Sequence, residues 1–190
     1  MKKIIVGIAI ILGMPGCSIL SSEPDIAYQA SAKESITGLK KWQIEGRIAL
    51  SSKQDSWQAN LEWEHQPQND LLKLSGPLGQ GGANITLTPH NVAIDRGGND
   101  VQFSDEPEQF INQQLGLSVP IYALRYWIVG LSDPSKKSQQ TEKGFEQLAW
   151  QIHYKSMQLV KGVVLPKSMV VSNSQVKLKI FIDQWILDDK

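Results

Sequence analysis

From Trp42 onward the chain alternates large apolar residues with polar ones at a period of two. Trp42, Ile44, Ile48 and Leu50 share one side of the first run with Gly46, and Trp57, Ala59, Leu61 and Trp63 share one side of the second. A period of two puts successive side chains on opposite faces of a β-strand, so each run predicts a strand with one face in the core and one in water. The polar stretch SSKQDS between them predicts a hairpin loop, and Gln66 to Asp70, around Pro67, predicts the next turn. Leu72 and Leu74 predict a third strand and Ile85 and Leu87 a fourth. Val92 with Ile94 and Val101 with Phe103 predict two short strands joined by RGGND. The first half of the domain thus reads as an antiparallel meander.

The middle changes period. Ser104 or Asp105 is placed to cap a helix with Pro107 in its first turn, an apolar stripe of Phe110, Ile111 and Leu115, and Gly116 at its end. A second short helix follows Ser118, with Pro120 in its first turn and Leu124, Trp127 and Ile128 on one side; Gly130 ends it and Pro134 prevents its resumption. Strands then return. Leu148, Trp150, Ile152 and Tyr154 alternate strictly, Val163 to Pro166 end one segment, Met169 and Val171 begin another, and Val176, Leu178, Ile180 and Ile182 close the chain, with Trp185 beyond. The fold class expected is α+β: a strongly curved antiparallel sheet forming an incomplete β-barrel closed by short helices, with an apolar cavity inside. The sequence leaves open whether that cavity is empty or filled.

The N-terminus follows another pattern. Lys2 and Lys3 precede an apolar stretch of 11 residues, Ile4 to Met14, too short to span a bilayer as a helix, and the only cysteine, Cys17, follows Gly16. This resembles a bacterial lipoprotein signal, in which the cysteine is acylated and becomes the new N-terminus. The alternative is an ordinary secretory signal with an incidental cysteine. Ser18 is similar to the outer-membrane class of lipoproteins rather than the class retained inside by Asp. Residues 1–16 are therefore expected to be signal peptide, 17–40 a lipidated tether, partly helical from Ile26 behind an Asp25 cap, and 41–190 the domain.

Composition narrows the function. The 190 residues, 41% hydrophobic, suffice for one domain with a core, and 19 basic against 19 acidic side chains give no footprint for nucleic acid. Removing Lys2 and Lys3 leaves 17 against 19, a net charge of −2. Six tryptophans favour an aromatic-lined core or cavity. His65, His90 and His153 are isolated, outside any metal-ligand spacing, and read as solvated surface residues. No serine sits in a nucleophile elbow and no Gly-rich loop opens a helix, so no catalytic residue, metal or cofactor is expected beyond the covalent lipid on Cys17.

The stretch SGPLGQGG, Ser75 to Gly82, sets four glycines and a proline around one large apolar residue, Leu78. Turn chemistry accounts for the glycines and the proline but not for the leucine. Together with KWQIEGRIAL, WQANLEW, VPIYALRYWIVG and LPKSMVV followed by VKLKIFIDQWIL, this stretch resembles the LolB family, outer-membrane lipoprotein receptors of Gram-negative bacteria, over roughly Lys41 to Leu187. The resemblance implies an incomplete barrel with an acyl-chain cavity. It implies a lipid-anchored protein of the outer membrane that faces the periplasm, accepts acylated lipoproteins from the carrier LolA and places them in the outer-membrane lipid, without nucleotide or catalysis and as a monomer. It also makes Leu78, in the loop of Gly76, Pro77 and Gly79, the membrane-inserting residue; the alternative is that Leu78 folds back onto the sheet edge. The candidates for the cavity wall are Trp57, Leu61, Trp63, Leu72, Leu74, Ile85, Trp127, Trp150 and Ile152, any of which alternation alone would assign to core. A lipid-anchored scaffold or outer-membrane assembly factor with a filled core is the competing reading.

Overall fold

The computed structural model describes residues 26–29, 36–53, 55–76, 81–98, 100–116 and 119–188. The signal segment, Cys17, the Asp25 cap, Ser118, and Pro77, Leu78 and Gly79 of the loop lie outside the described residues.

The alternating runs become strands β1 (Trp42–Ser52), β2 (Ser56–Gln66), β3 (Asn69–Ser75), β4 (Gly82–Leu87), β5 (Val92–Asp95) and β6 (Val101–Ser104). Helices α1 (Pro107–Leu115) and α2 (Ile121–Trp127) follow, and then β7 (Ser138–Thr141), β8 (Gly144–Gln147), β9 (Trp150–Val160), β10 (Val163–Ser172) and β11 (Val176–Leu187). Every neighbouring pair is antiparallel, and the order β6-β5-β4-β3-β2-β1-β11-β10-β9-β8-β7 makes one sheet with β6 and β7 as free edges. The sheet is open. Two meanders, one on each side of the helices in sequence, join where β1 pairs β11.

Register explains why one face is continuous. Trp63 stands opposite both Ile44 and Leu72, Leu72 opposite Ile85, and Ile85 opposite Ile94. On the other side Leu50 faces Leu178, Leu178 faces Val171, and Val171 faces Ile152. Pairing in phase delivers the apolar sets of β1 to β5 and of β8 to β11 to the same side, and a one-residue slip in any of them would turn its set to water. Strand β6 is the exception, because buried Val92 and Ile94 face Ser104 and Gln102, which leaves Val101 and Phe103 on the opposite, exposed face. A bulge keeps the phase at the central seam. Glu45 faces Gln184 while Gly46 faces Ile182, so Asp183 is the extra residue. A Cβ on Gly46 would overlap the carbonyl oxygen of Phe181. Gly46→Ala is therefore expected to cost about 1–3 kcal/mol, as overpacking does, read as a lower urea midpoint at unchanged slope.

Several expectations are corrected. The turn predicted over Gln66 to Asp70 shrinks to Pro67 and Gln68, and Asp70 lies within β3. Helix α1 has Glu106 as its N-cap without a side-chain cap; Ser104 Oγ instead accepts from the Glu106 N–H at 3.0 Å, and Asp105 does not cap. Leu148 is not a strand residue. With Ala149 it forms the two-residue turn joining β8 to β9, at φ of 55° and 63°, and it is exposed. Both positions of such a turn need positive φ, normally signalled by Asn or Gly, so Leu-Ala gave no cue. The hairpin of β7 and β8 was not anticipated because SQQT carries no apolar residue. The two segments expected around Pro166 are one strand, β10, whose register shifts at Pro166 to Ser168. The freed Pro166 carbonyl accepts the Trp185 indole N–H at 2.8 Å. Finally, residues 26–29, where a helix was expected to begin, are not helical: Ile26 bridges Met157 and Tyr28 stacks on Tyr154, with centroids 4.7 Å apart.

Candidate functional site

The site is built on the apolar face. Ile111 of α1 and Ile121 and Leu124 of α2 rest on Ile48, Leu61, Trp63, Leu72, Leu74, Ile85 and Ile180, and the void left between them is about 10 Å³. Five of the proposed wall residues (Leu61, Trp63, Leu72, Leu74 and Ile85) therefore meet around one point beneath the helices. Trp127 and Trp150 pair with each other, centroids 6.5 Å apart, and Ile152 lies opposite Phe145. These three are buried but lie away from that void. Trp57 is half-buried at the end of the face. Ile48 and Ile180 were in the predicted strands but were not named as wall residues, although their phase placed them there. Ile111 and Leu124 were on the predicted helix stripes.

Polar contacts tie the helices down. Asp70, 1% exposed, accepts from the Trp63 indole N–H at 3.0 Å, sits 2.7 Å from His65 Nδ1, and is 3.4 Å from an Arg125 guanidinium nitrogen on α2. A buried carboxylate is tolerated because indole, imidazole and guanidinium replace its water. His65 is thus not a solvated surface residue: it is partly buried, its ring 5.2 Å from that of Trp42 and tilted to it by 32°, and directed at Asp70. The signal was present, since Asp70 is in phase with Leu72 and Leu74. On the same helix the Tyr122 hydroxyl donates to the Thr88 carbonyl at 2.8 Å. At its end the Trp127 indole donates to Gln147 Oε1 at 2.8 Å, and the Tyr154 hydroxyl donates to the Trp127 carbonyl at 2.6 Å. Burial, with Tyr28 beside it, holds the Tyr154 phenol well above its usual value, so it stays a donor. Gln147 is fully employed: its amide donates to the carbonyls of Asp133 and Lys136 while its oxygen also accepts the Asp133 N–H.

Two hollows open beside this covered face. One of about 490 Å³ lies between Ile36, Leu39, Trp42, His65, Arg125 and Tyr126. The other, about 310 Å³, lies at the base of the glycine-rich loop, between Trp57, Leu74, Gly76, Gly82, Arg96 and Leu115. The loop's stems are fixed by the Ser75–Gly82 pair and by the Gly76 N–H donating to the Gly81 carbonyl at 3.4 Å. His153, half-buried on β9, is held below the usual imidazole value, first by burial and then by Lys155 and Lys143; His90 is exposed in a turn. Among the described residues no group of His, Cys, Asp and Glu could hold a metal ion, and no helix is long and apolar enough to cross a membrane.

An open antiparallel sheet with helices on one apolar face is a fold that this chain shares with a solved structure. A solved LolA superfamily protein from Nitrosomonas europaea is 8% identical, with a TM-score of 0.50 over 87% of this chain and 95% of that one. Sequence then places the chain more finely. A family model described as "Outer membrane lipoprotein LolB" matches residues 40–185. Outer-membrane lipoprotein LolB of Pseudomonas fluorescens strain Pf-5 is 32% identical, covering 91% of this chain and 90% of the relative. That of Marinomonas sp. strain MWYL1 is 30% identical over 81% and 84%, and that of Chromohalobacter salexigens 27% over 97% and 91%. The chain belongs to the LolB family, outer-membrane lipoproteins of Gram-negative bacteria that serve lipoprotein localisation and are not enzymes.

Proposed function

We propose that this protein receives acylated lipoproteins from a periplasmic carrier of the LolA type on its apolar face and releases them into the outer membrane, to which acylated Cys17 anchors it. The observation that supports this best is the pairing of a single continuous apolar face with two short helices that cover it. An acyl chain is costly in water, so it moves between apolar surfaces by relative affinity, at about 0.8 kcal/mol per buried CH₂. No nucleotide is needed, because the bilayer is the final sink.

A void of about 10 Å³ admits no acyl chain, so binding requires α1 and α2 to move off the sheet. Apolar contacts they lose are regained on the hydrocarbon, while the polar ties of α2 (Asp70–Arg125, Tyr122–Thr88, Trp127–Gln147 and Tyr154–Trp127) and the Arg96–Gln114 tie of α1 would be exchanged for water or for cargo. The same void favours a second reading, a lipid-anchored scaffold with a filled core. Native mass spectrometry of the full chain, purified in detergent after incubation with a carrier–lipoprotein complex, separates them. Transfer of the acylated protein to this chain supports the receptor; retention of all cargo by the carrier supports the scaffold.

The anchor is tested separately. Cys17→Ala should abolish labelling by radioactive palmitate and leave an unprocessed precursor. Labelling equal to that of the natural sequence would remove Cys17 from the proposal.

A further inference from the structure

We propose that the Trp57 indole N–H is the hydrogen-bond donor that recognises an ester carbonyl at the glyceryl end of a bound acyl chain. This rests on the acyl-chain reading above and adds a chemical specificity to it. Three other buried indoles have acceptors, Trp63 on Asp70, Trp127 on Gln147 and Trp185 on Pro166, at 2.8–3.0 Å. Trp57 Nε1 alone, among buried side-chain polar atoms of the described residues, has none. Buried donors are almost always paired, and one left unpaired is a cost that a ligand's acceptor would remove.

Its position gives that donor a use. Trp57 faces the same side as Leu61 and Trp63 and borders the hollow of about 310 Å³ with Leu74, Ala83, Leu115 and Arg96. The hollow adjoins the end of the acyl-binding face, where the polar end of a chain laid along that face would emerge. Most of its wall is hydrocarbon. Arg96 is committed to Gln114, donating to its side-chain oxygen at 2.9 Å and to its carbonyl at 2.7 Å, which ties the end of α1 to the end of β5. Gln58, Ser75 and Gln114 also line the hollow, but the donor that is both buried and unpartnered is the neutral indole, which suits a neutral acceptor on an apolar stem and does not balance a buried charge. An ester carbonyl meets that description; a free carboxylate does not. The donor is out of water while α1 is seated, and Leu115 of α1 is part of the wall, so the same helix movement that admits the chain would expose it.

The test compares two lipids that differ only in the carbonyl. Full-length protein in detergent is titrated with 1,2-dioctanoylglycerol and, separately, with its diether analogue 1,2-di-O-octylglycerol, and adducts are counted by native mass spectrometry. The natural sequence should favour the ester about five-fold, the worth of one ordinary hydrogen bond. Trp57→Phe should bring that ratio to one by weakening the ester alone. Leu74→Ala, which removes packing from the same hollow and no donor, should weaken both lipids and keep the ratio. Because each ratio is taken within one protein, partial unfolding does not mimic the effect. Equal binding of ester and ether by the natural sequence, or an ester preference that survives Trp57→Phe, overturns the inference while leaving the acyl-chain reading intact. Failure of both lipids to bind overturns both.

Discussion

Replacing Asp70 with alanine should lower the melting temperature by about 6–12 °C. The side chain is 1% exposed and serves three partners: the Trp63 indole, His65 Nδ1 and Arg125. Its loss strands the Trp63 donor inside the core, where Trp63 is itself 1% exposed. It also leaves an imidazole and a guanidinium without their counter-group. Arg125, 24% exposed in its side chain and at the long distance of 3.4 Å, can turn to water, so its share is small. The indole cannot. Together these give about 3 kcal/mol, at the lower end of what breaking a buried pair costs. A domain of this size loses about 2–4 °C per kcal/mol. Asp70→Asn keeps an acceptor for the indole and should cost clearly less, and Arg125→Gln less again. A melting curve in which all three variants coincide would show that the contacts around Asp70 do not hold α2 to the sheet.

The strands were legible because burial on one face leaves a two-residue signature, and that signature survived wherever both faces differ in environment. It located β1 to β5 and the body of β9 and β11; Val101 and Phe103 also marked β6, but they are exposed, on the face away from the core. It failed where the reason for the element is not in its own residues. SQQT becomes β7 only because β8 offers it a partner, and the Leu148–Ala149 turn is imposed by the strands it joins. Pro166 was read as a stop, yet a strand inside a sheet can carry proline where a bulge frees its neighbour and a side chain takes its carbonyl.

The site was legible in outline only. Alternation put Leu61, Trp63, Leu72, Leu74 and Ile85 on the apolar face, and these do converge beneath the helices. It could not say that α1 and α2 would seat on them so closely, because the fit of helix to sheet depends on three-dimensional packing. Reading QND as turn chemistry hid Asp70, although its phase with Leu72 and Leu74 placed it on the apolar side. A polar residue on an apolar face is the stronger signal, and Asp70 and Gln147 are both of that kind.

Leu78→Glu should leave folding intact and cut delivery into membranes by at least ten-fold. The loop connects β3 to β4 through stems already closed by the Ser75–Gly82 pair, so the strands do not depend on the loop's side chains for their register. Acceptance of cargo, proposed to depend on the apolar face, should be nearly unchanged. Delivery is different. Burying one leucine in the lipid interface gives about 1.5–3 kcal/mol, a factor of about 10 to 150 in how often the loop engages the membrane. That is too weak to anchor the protein, which is the task proposed for Cys17, but enough to decide where cargo leaves. A carboxylate in the same place loses this gain and resists entry as well. Transfer of labelled lipoprotein from the carrier to the full chain, and from the full chain to liposomes, would be followed beside thermal unfolding for Leu78→Glu and Leu78→Ala. If Leu78 instead packs on the sheet edge, Leu78→Ala will destabilise the domain by about 2–5 kcal/mol, the cost of a buried leucine, and delivery will fall only with stability. Unchanged melting together with normal delivery by the Glu variant would end the membrane-probe reading, whereas unchanged melting with cargo accepted and held would mark the loop as the point at which release is coupled to the bilayer.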